Sequence, residues 1–224
     1  MTRAWMLVAF GFAIAEGAPA RASTSSAPAT ARPSGGDCQD GTRGAIDPLT
    51  ELRESDLALS AALRRQVPDW SPEAPAHAAR IEQLLEDILD YEAIAKQALG
   101  SRWDSLSAAQ RSAFLSLFSP LTNRALLSAA ERRVSVSYES ESISGAEAKV
   151  VVTPRYLDDA ARPVTQIEYR LSERCGRWRI HDVSVDGVSL VDGYHAQFER
   201  LFKRGSFDDL LAVMKRKLGR VATR

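Results

Sequence analysis

Large apolar residues begin to recur at helical spacing from Asp47 onward. Leu49, Leu52, Leu59 and Leu63 place most of their side chains on one face, and Asp47-Pro48 supplies an N-cap and a first-turn proline. A helix is predicted that ends before Pro68. Pro68, Pro72 and Pro75 punctuate a connection, and Ile81, Leu84, Leu85, Ile88 and Leu89 then mark a second amphipathic helix. A short third helix over 91–99 closes at Gly100. Ser107 with Gln110 three residues on forms a capping box, opening a helix that carries Phe114, Leu117, Phe118, Leu121, Leu126 and Leu127 and that Pro120 should kink.

The period then shortens to that of a strand, Val134, Val136 and Tyr138 alternating with Arg133, Ser135 and Ser137. Three more strands are predicted around 148–153, 164–171 and 177–185, with turns at Asp158-Asp159 and Cys175-Gly176. In the third, Ile167, Tyr169 and Leu171 oppose Gln166, Glu168 and Arg170, the pattern of a half-buried antiparallel strand. In the fourth, Trp178 and Ile180 fall out of phase with Val183 and Val185, and a bulge near His181 reconciles them. Two helical segments follow, around 190–202 and 207–218, separated by Gly205, and Ser189 reads as the N-cap of the first. Helices surrounding a run of strands predict an α+β domain: a curved antiparallel sheet of about four strands packed against N- and C-terminal helices. No internal repeat is found.

Composition adds a history to this picture. Arg3 followed by the uncharged stretch 4–15 and an Ala20-Arg21-Ala22 site reads as a secretory signal peptide over residues 1–22. The stretch is well short of the roughly 20 apolar residues that span a bilayer. Residues 23–45 are rich in Ser, Ala, Pro, Gly and Thr and nearly lack large apolar side chains, so they read as a flexible linker to a domain over 46–218, with a tail at 219–224. Twenty-nine basic residues balance 29 acidic ones, and removing the signal shifts that balance by one charge only. Nothing in the total charge draws the surface to nucleic acid. In an exported chain Cys38 and Cys175 permit a disulfide, and two unrelated thiols fit the sequence as well.

No pattern of catalytic chemistry emerges. The three histidines, His77, His181 and His195, show no metal-ligand spacing, and neither a phosphate-binding loop nor a dinucleotide fingerprint occurs. Gly187-Val188-Ser189-Leu190-Val191 places Val191 where a nucleophile elbow needs glycine. No enzyme activity, metal or cofactor is expected.

Particular strings carry more than composition does. Asp90-Tyr91, Ala98-Leu99-Gly100 with Trp103, Ala109-Gln110-Arg111 through Phe114 and Phe118, and Trp178-Arg179-Ile180-His181-Asp182-Val183 leading into Gly187-Val188-Ser189-Leu190-Val191 resemble the MlaC, or toluene-tolerance, family of periplasmic phospholipid carriers. The resemblance continues through Tyr194, Gln197-Phe198, Gly205 and Asp208-Asp209-Leu210-Leu211. It departs at His195, where the family commonly has Arg, and among Arg124, Ala125 and Leu126, where a Tyr is usual. The resemblance implies an apolar cavity between sheet and helices that holds acyl chains. It also implies periplasmic traffic of phospholipid between an outer-membrane lipoprotein complex and an inner-membrane ABC transporter. Candidate lipid-binding residues are the apolar members of the strands and the facing helix: Phe114, Phe118, Leu121, Val136, Val150, Val152, Ile167, Tyr169, Leu171, Trp178 and Ile180. Lys215, Arg216, Lys217 and Arg220 are candidates for contact with a membrane or transporter, or a solvated helix face. Two other functions fit the same pattern, an adaptor that binds only protein partners and a carrier of a polycyclic lipid such as a hopanoid.

Overall fold

The computed structural model describes residues 46–130, 134–156 and 165–219. The expected signal peptide, the linker, the Asp158-Asp159 turn and Arg220 lie outside them. Helix α1 (Pro48–Arg64) starts where Asp47 accepts a hydrogen bond from the Thr50 N–H at 2.8 Å. Helix α2 (Ala74–Ile88) begins earlier than its leucines indicate, because Pro75 sits inside its first turn rather than in the connection. A proline there gives up an N–H that has no partner in the helix anyway. Asp90 caps α3 (Tyr91–Leu99) by accepting from the Ala93 N–H at 2.9 Å, and Gly100 closes it with φ of 57°. The single turn α4 (Arg102–Ser105) is too short to leave a periodic trace in the sequence. The capping box opens α5 (Ala108–Ala130), with Gln110 accepting from the Ser107 N–H at 2.9 Å and Ser107 Oγ from the Gln110 N–H at 3.2 Å. The helix continues through Pro120.

The sheet has five strands in the order β1-β2-β3-β4-β5, every pair antiparallel: β1 (Val134–Ser144), β2 (Glu147–Tyr156), β3 (Ile167–Arg174), β4 (Arg177–Val185) and β5 (Val188–Ser189). Two differences from the expected sheet stand out. β1 runs on to Ser144 through a register shift at Tyr138 and Ser140, although its second half is mostly polar. β5 is a two-residue strand, joined to β4 by a turn with positive φ at Asp186 and Gly187, and Ser189 also caps the next helix. Cys175 and Gly176, both at positive φ, make the same kind of turn between β3 and β4. Cys175 is disulfide-bonded, and Cys38, the other cysteine of the chain, lies outside the described residues.

The bulge in β4 falls where the hydrophobic phase demands it. Leu171 opposes Ile180 while Arg170 opposes Asp182, so His181 is the extra residue. Ile180 and Val183 can then share the sheet's inner face.

Helices α6 (Leu190–Phe202) and α7 (Phe207–Gly219) complete the chain. Their placement is uneven. α1, α2, α3 and α6 all pack on β4, α1 also reaches β1 and β2, and α5 packs between α3 and α7. The core follows this arrangement: Leu85, Ile94, Leu99, Phe114, Phe118, Phe198, Leu210 and Met214 are sealed among the helices, and Val150, Val152, Leu171 and Ile180 beneath them.

Candidate functional site

Three cross-strand rows define the inner face. They run Ala148–Leu171–Ile180, Val150–Tyr169–Val183 and Tyr138–Val152–Ile167–Val185. The hairpin end of this face is closed by α1, whose Glu51 takes both Nε and an Nη of Arg177 on one oxygen at 3.0 and 2.7 Å. The Trp178 indole donates to the Ile46 carbonyl beside it at 3.0 Å. Towards the other end the cover thins. Val136, Tyr138, Ile167, Tyr169 and Val183 are only half-buried, although they lie against the apolar core.

The candidate lipid-binding residues therefore separate into two groups. Phe114, Phe118, Val150, Val152, Leu171, Trp178 and Ile180 are sealed, none above 6% exposed, so nothing can touch them unless neighbours move. Phe114 and Phe118 stack at 5.1 Å and meet Phe198 and Tyr194 edge-on, which ties α5 to α6 within the helical layer. Leu121, Val136, Ile167 and Tyr169 form the half-buried group. In β3 and β4 sequence periodicity picked out the apolar side, but it carries no information on which part of that side the helices leave open.

A polar cluster that hydrophobic patterning does not reveal adjoins the half-buried strip. The Arg53 guanidinium lies 4.6 Å from the centre of the Tyr138 ring, and the Tyr138 hydroxyl donates to Asp56. Asp56 is half-buried on the same face of α1 as Leu52 and Leu59, and desolvation holds its carboxyl above the ordinary value despite the nearby Arg64 charge. Burial and the Asp56 charge push the Tyr138 hydroxyl up to about 12, and burial raises the Tyr169 hydroxyl as well. The visible signal in the sequence was a charge, Asp56, at a position the helical period assigns to the apolar face.

Two pockets of about 270 and 210 Å³ open near the hairpin ends, sharing Glu147 and His181. Arg174, Glu173 and Gln97 line the first, Lys149 and Arg170 the second. An acyl chain placed there would strip water from charged groups, so neither suits one. His181 is held at both ring nitrogens, 3.0 Å from Gln97 and 3.0 Å from Glu147. His195 contacts the Ala98 carbonyl at 3.1 Å, and His77 contacts that of Ala62 at 3.0 Å. Among the described residues no group of three or more His, Cys, Asp or Glu side chains is placed to hold a metal ion, and no helix is long and apolar enough to cross a membrane. On α7, Lys215 and Arg216 are exposed, whereas Lys217 is half-buried and its ammonium is lowered to about 8 by desolvation.

Comparison with known proteins adds two findings. A family model described as MlaC protein matches residues 59–216. A phospholipid-binding protein from Ralstonia solanacearum, solved in complex with a phospholipid, shares the fold: TM-score 0.65, 18% identity, covering 79% of this chain and 99% of that one. No curated protein sequence matches the chain.

Proposed function

The chain belongs to the MlaC family, and from that premise we propose that it is a periplasmic carrier which moves phospholipid between the outer membrane and an inner-membrane ABC transporter. The observation that carries the reading is the half-buried apolar strip Val136, Ile167 and Tyr169 on the inner face of the sheet, packed against the sealed core. A closed adaptor core has no reason to leave such a strip part-covered. A lipid carrier has one. Each CH₂ moved out of water gains roughly 0.8 kcal/mol, so a chain of about 16 carbons left in water would cost on the order of 12 kcal/mol. In this reading the strip receives the acyl chains, and the sealed residues Phe114, Phe118, Val150, Val152, Leu171, Trp178 and Ile180 form the wall behind it. The family match and the phospholipid held by the Ralstonia protein support the ligand class and a role in binding rather than catalysis.

Organic extraction of the purified protein followed by mass spectrometry tests this. About one diacyl phospholipid per chain is expected. Protein that is folded, was never exposed to detergent, and releases no stoichiometric lipid would return the reading to an adaptor, and recovery of a polycyclic lipid would change the cargo.

A further inference from the structure

The two ends of α1 are held by different means. At its C-terminal end His77 of α2 contacts the Ala62 carbonyl at 3.0 Å, and Arg65 just beyond the helix pairs with Glu73. The N-terminal half rests on the sheet with little apolar burial: Pro48 and Leu52 are the sealed apolar residues of α1, whereas the much shorter α3 seals Ile94, Ala95, Ala98 and Leu99. The remaining contacts of that half are largely polar. The Leu49 N–H donates to Glu141 at 2.8 Å, Tyr138 donates to Asp56, and Glu51 takes the Arg177 guanidinium. Glu51 is itself only half-satisfied, since it is 6% exposed and its Oε2 has no hydrogen-bond partner among the described residues. A buried oxygen left in that state offsets part of what the ion pair contributes. A segment seated in this way belongs among those that open first.

Against that weak hold stands a covalent bond. Cys175 lies in the β3–β4 turn, two residues before Arg177 and three before Trp178, the side chains that hold Glu51 and the Ile46 carbonyl. It is disulfide-bonded, and Cys38 is the other cysteine of the chain. Seven residues, 39–45, join Cys38 to Ile46. At about 3.5 Å each they reach easily from the turn to the Ile46 carbonyl, so chain length sets no obstacle to the pairing. We infer that a Cys38–Cys175 disulfide clasps the N-terminal half of α1 onto the sheet, and that its reduction frees this half to lift from the hairpin end of the inner face. The inference rests on the carrier reading above and adds a control of access to it. Leu171, Trp178 and Ile180 are sealed at that end, so lifting uncovers apolar wall that acyl chains otherwise do not reach. Reduction breaks the S–S bond and forms two S–H groups, the two electrons and two protons coming from a dithiol that closes to its own disulfide. While the bond is intact the start of α1 stays within a short tether of its seat, and reclosing is fast. Once it is cut, the contacts described above act alone.

Non-reducing peptide mapping of the full-length mature protein should recover Cys38 and Cys175 in one linked fragment. Hydrogen exchange read by mass spectrometry should then show the amides of 48–58 exchanging roughly tenfold faster after reduction with dithiothreitol, with those of α3 and α5 unchanged. Cys38→Ser and Cys175→Ser should each reproduce the reduced protein and respond no further to dithiothreitol. Loaded with phospholipid, the reduced protein should deliver it to acceptor vesicles roughly tenfold faster than the oxidised protein. Cys175 linked to a second chain, or unchanged exchange of 48–58 after complete reduction, overturns the clasp. Faster exchange throughout the domain overturns it too, because the bond would then hold the whole fold. Faster exchange in 48–58 with an unchanged delivery rate overturns the control of access. Oxidised protein that takes up no phospholipid overturns the carrier reading instead, and the exchange of 48–58 still decides the clasp. Should the serine variants fail to fold by circular dichroism, the reduced wild-type protein decides.

Discussion

At the residue scale, the most conspicuous string in the sequence turns out to hold the fold together. Asp182 is 4% exposed, accepts the Ser189 hydroxyl on both oxygens at 2.9 and 2.8 Å, and takes the N–H groups of Val183 and Val191 at 2.8 and 3.2 Å. One carboxylate thereby fixes the bulge, β5 and the start of α6. Asp182→Ala should cost about 3 kcal/mol by stranding those donors, lowering the melting temperature by roughly 6–12 °C in calorimetry. Sequence reading found Ser189 as an N-cap but not this partner, because a bond across a bulge and a turn has no fixed spacing. Asp56 behaves in the opposite sense. Its carboxyl is held above its ordinary value of 3.8 by desolvation, so at neutral pH the folded state carries a charge that the unfolded chain bears more easily. As pH falls through the raised value towards 3.8 the native state takes up its proton first and the penalty is relieved. Asp56→Asn should therefore raise the melting temperature at pH 7, with the gain shrinking to nothing below about pH 4. A melting curve for the variant below wild type at pH 7 would show that Asp56 is a structural anchor.

At the element scale, β3 shows how much of the site could be read and where reading stopped. The alternation of Ile167, Tyr169 and Leu171 with Glu168 and Arg170 gave the two faces of the strand, and the ladder keeps them: Glu168 pairs with Lys149 at 2.6 Å and Arg170 at 3.2 Å on the far side. Those cations hold the Glu168 carboxyl below its ordinary value. The change of cover along the inner face, from sealed Leu171 to half-buried Tyr169 and Ile167, was invisible because helix placement over a sheet is a tertiary property. Likewise the second half of β1 pairs with β2 without an apolar period of its own, so its backbone ladder rather than its side chains defines it. If the strip receives acyl chains, Ile167→Asp should sharply reduce bound lipid, since an unpaired carboxylate there is desolvated by several kcal/mol, while Glu168→Gln should leave it nearly unchanged. Tyr169→Ala should destabilise lipid-free protein by up to about 3–5 kcal/mol and the lipid-loaded form less, because the ligand fills the void. Folded Ile167→Asp protein with normal lipid content would remove β3 from the site.

At the scale of the whole molecule, the order of helices and strands was legible wherever an element carries its own start signal. Asp47, Asp90, Ser107 and Ser189 all cap the helices they precede. What no local signal encodes is which strands those helices cover: α1, α2, α3 and α6 all meet β4. That cover bears on how cargo leaves. A strip sealed as thoroughly as the aromatic cluster of α5 and α6 would require the core to open for every transfer, whereas a half-covered strip needs only the margin to move. Because the protein and a bilayer both shelter the acyl chains from water, the free energies of the two resting places should lie close together, and nothing in the sequence supplies a nucleotide site to bias them. In the proposed carrier reading, direction then comes from the partners. Purified protein should pass fluorescent phospholipid from donor to acceptor vesicles, and in the reverse experiment back again, at rates that follow lipid concentration and are unchanged by added ATP. Transfer that runs in one direction only between identical vesicle populations would mean that the chain itself carries a bias which its half-open sheet does not explain.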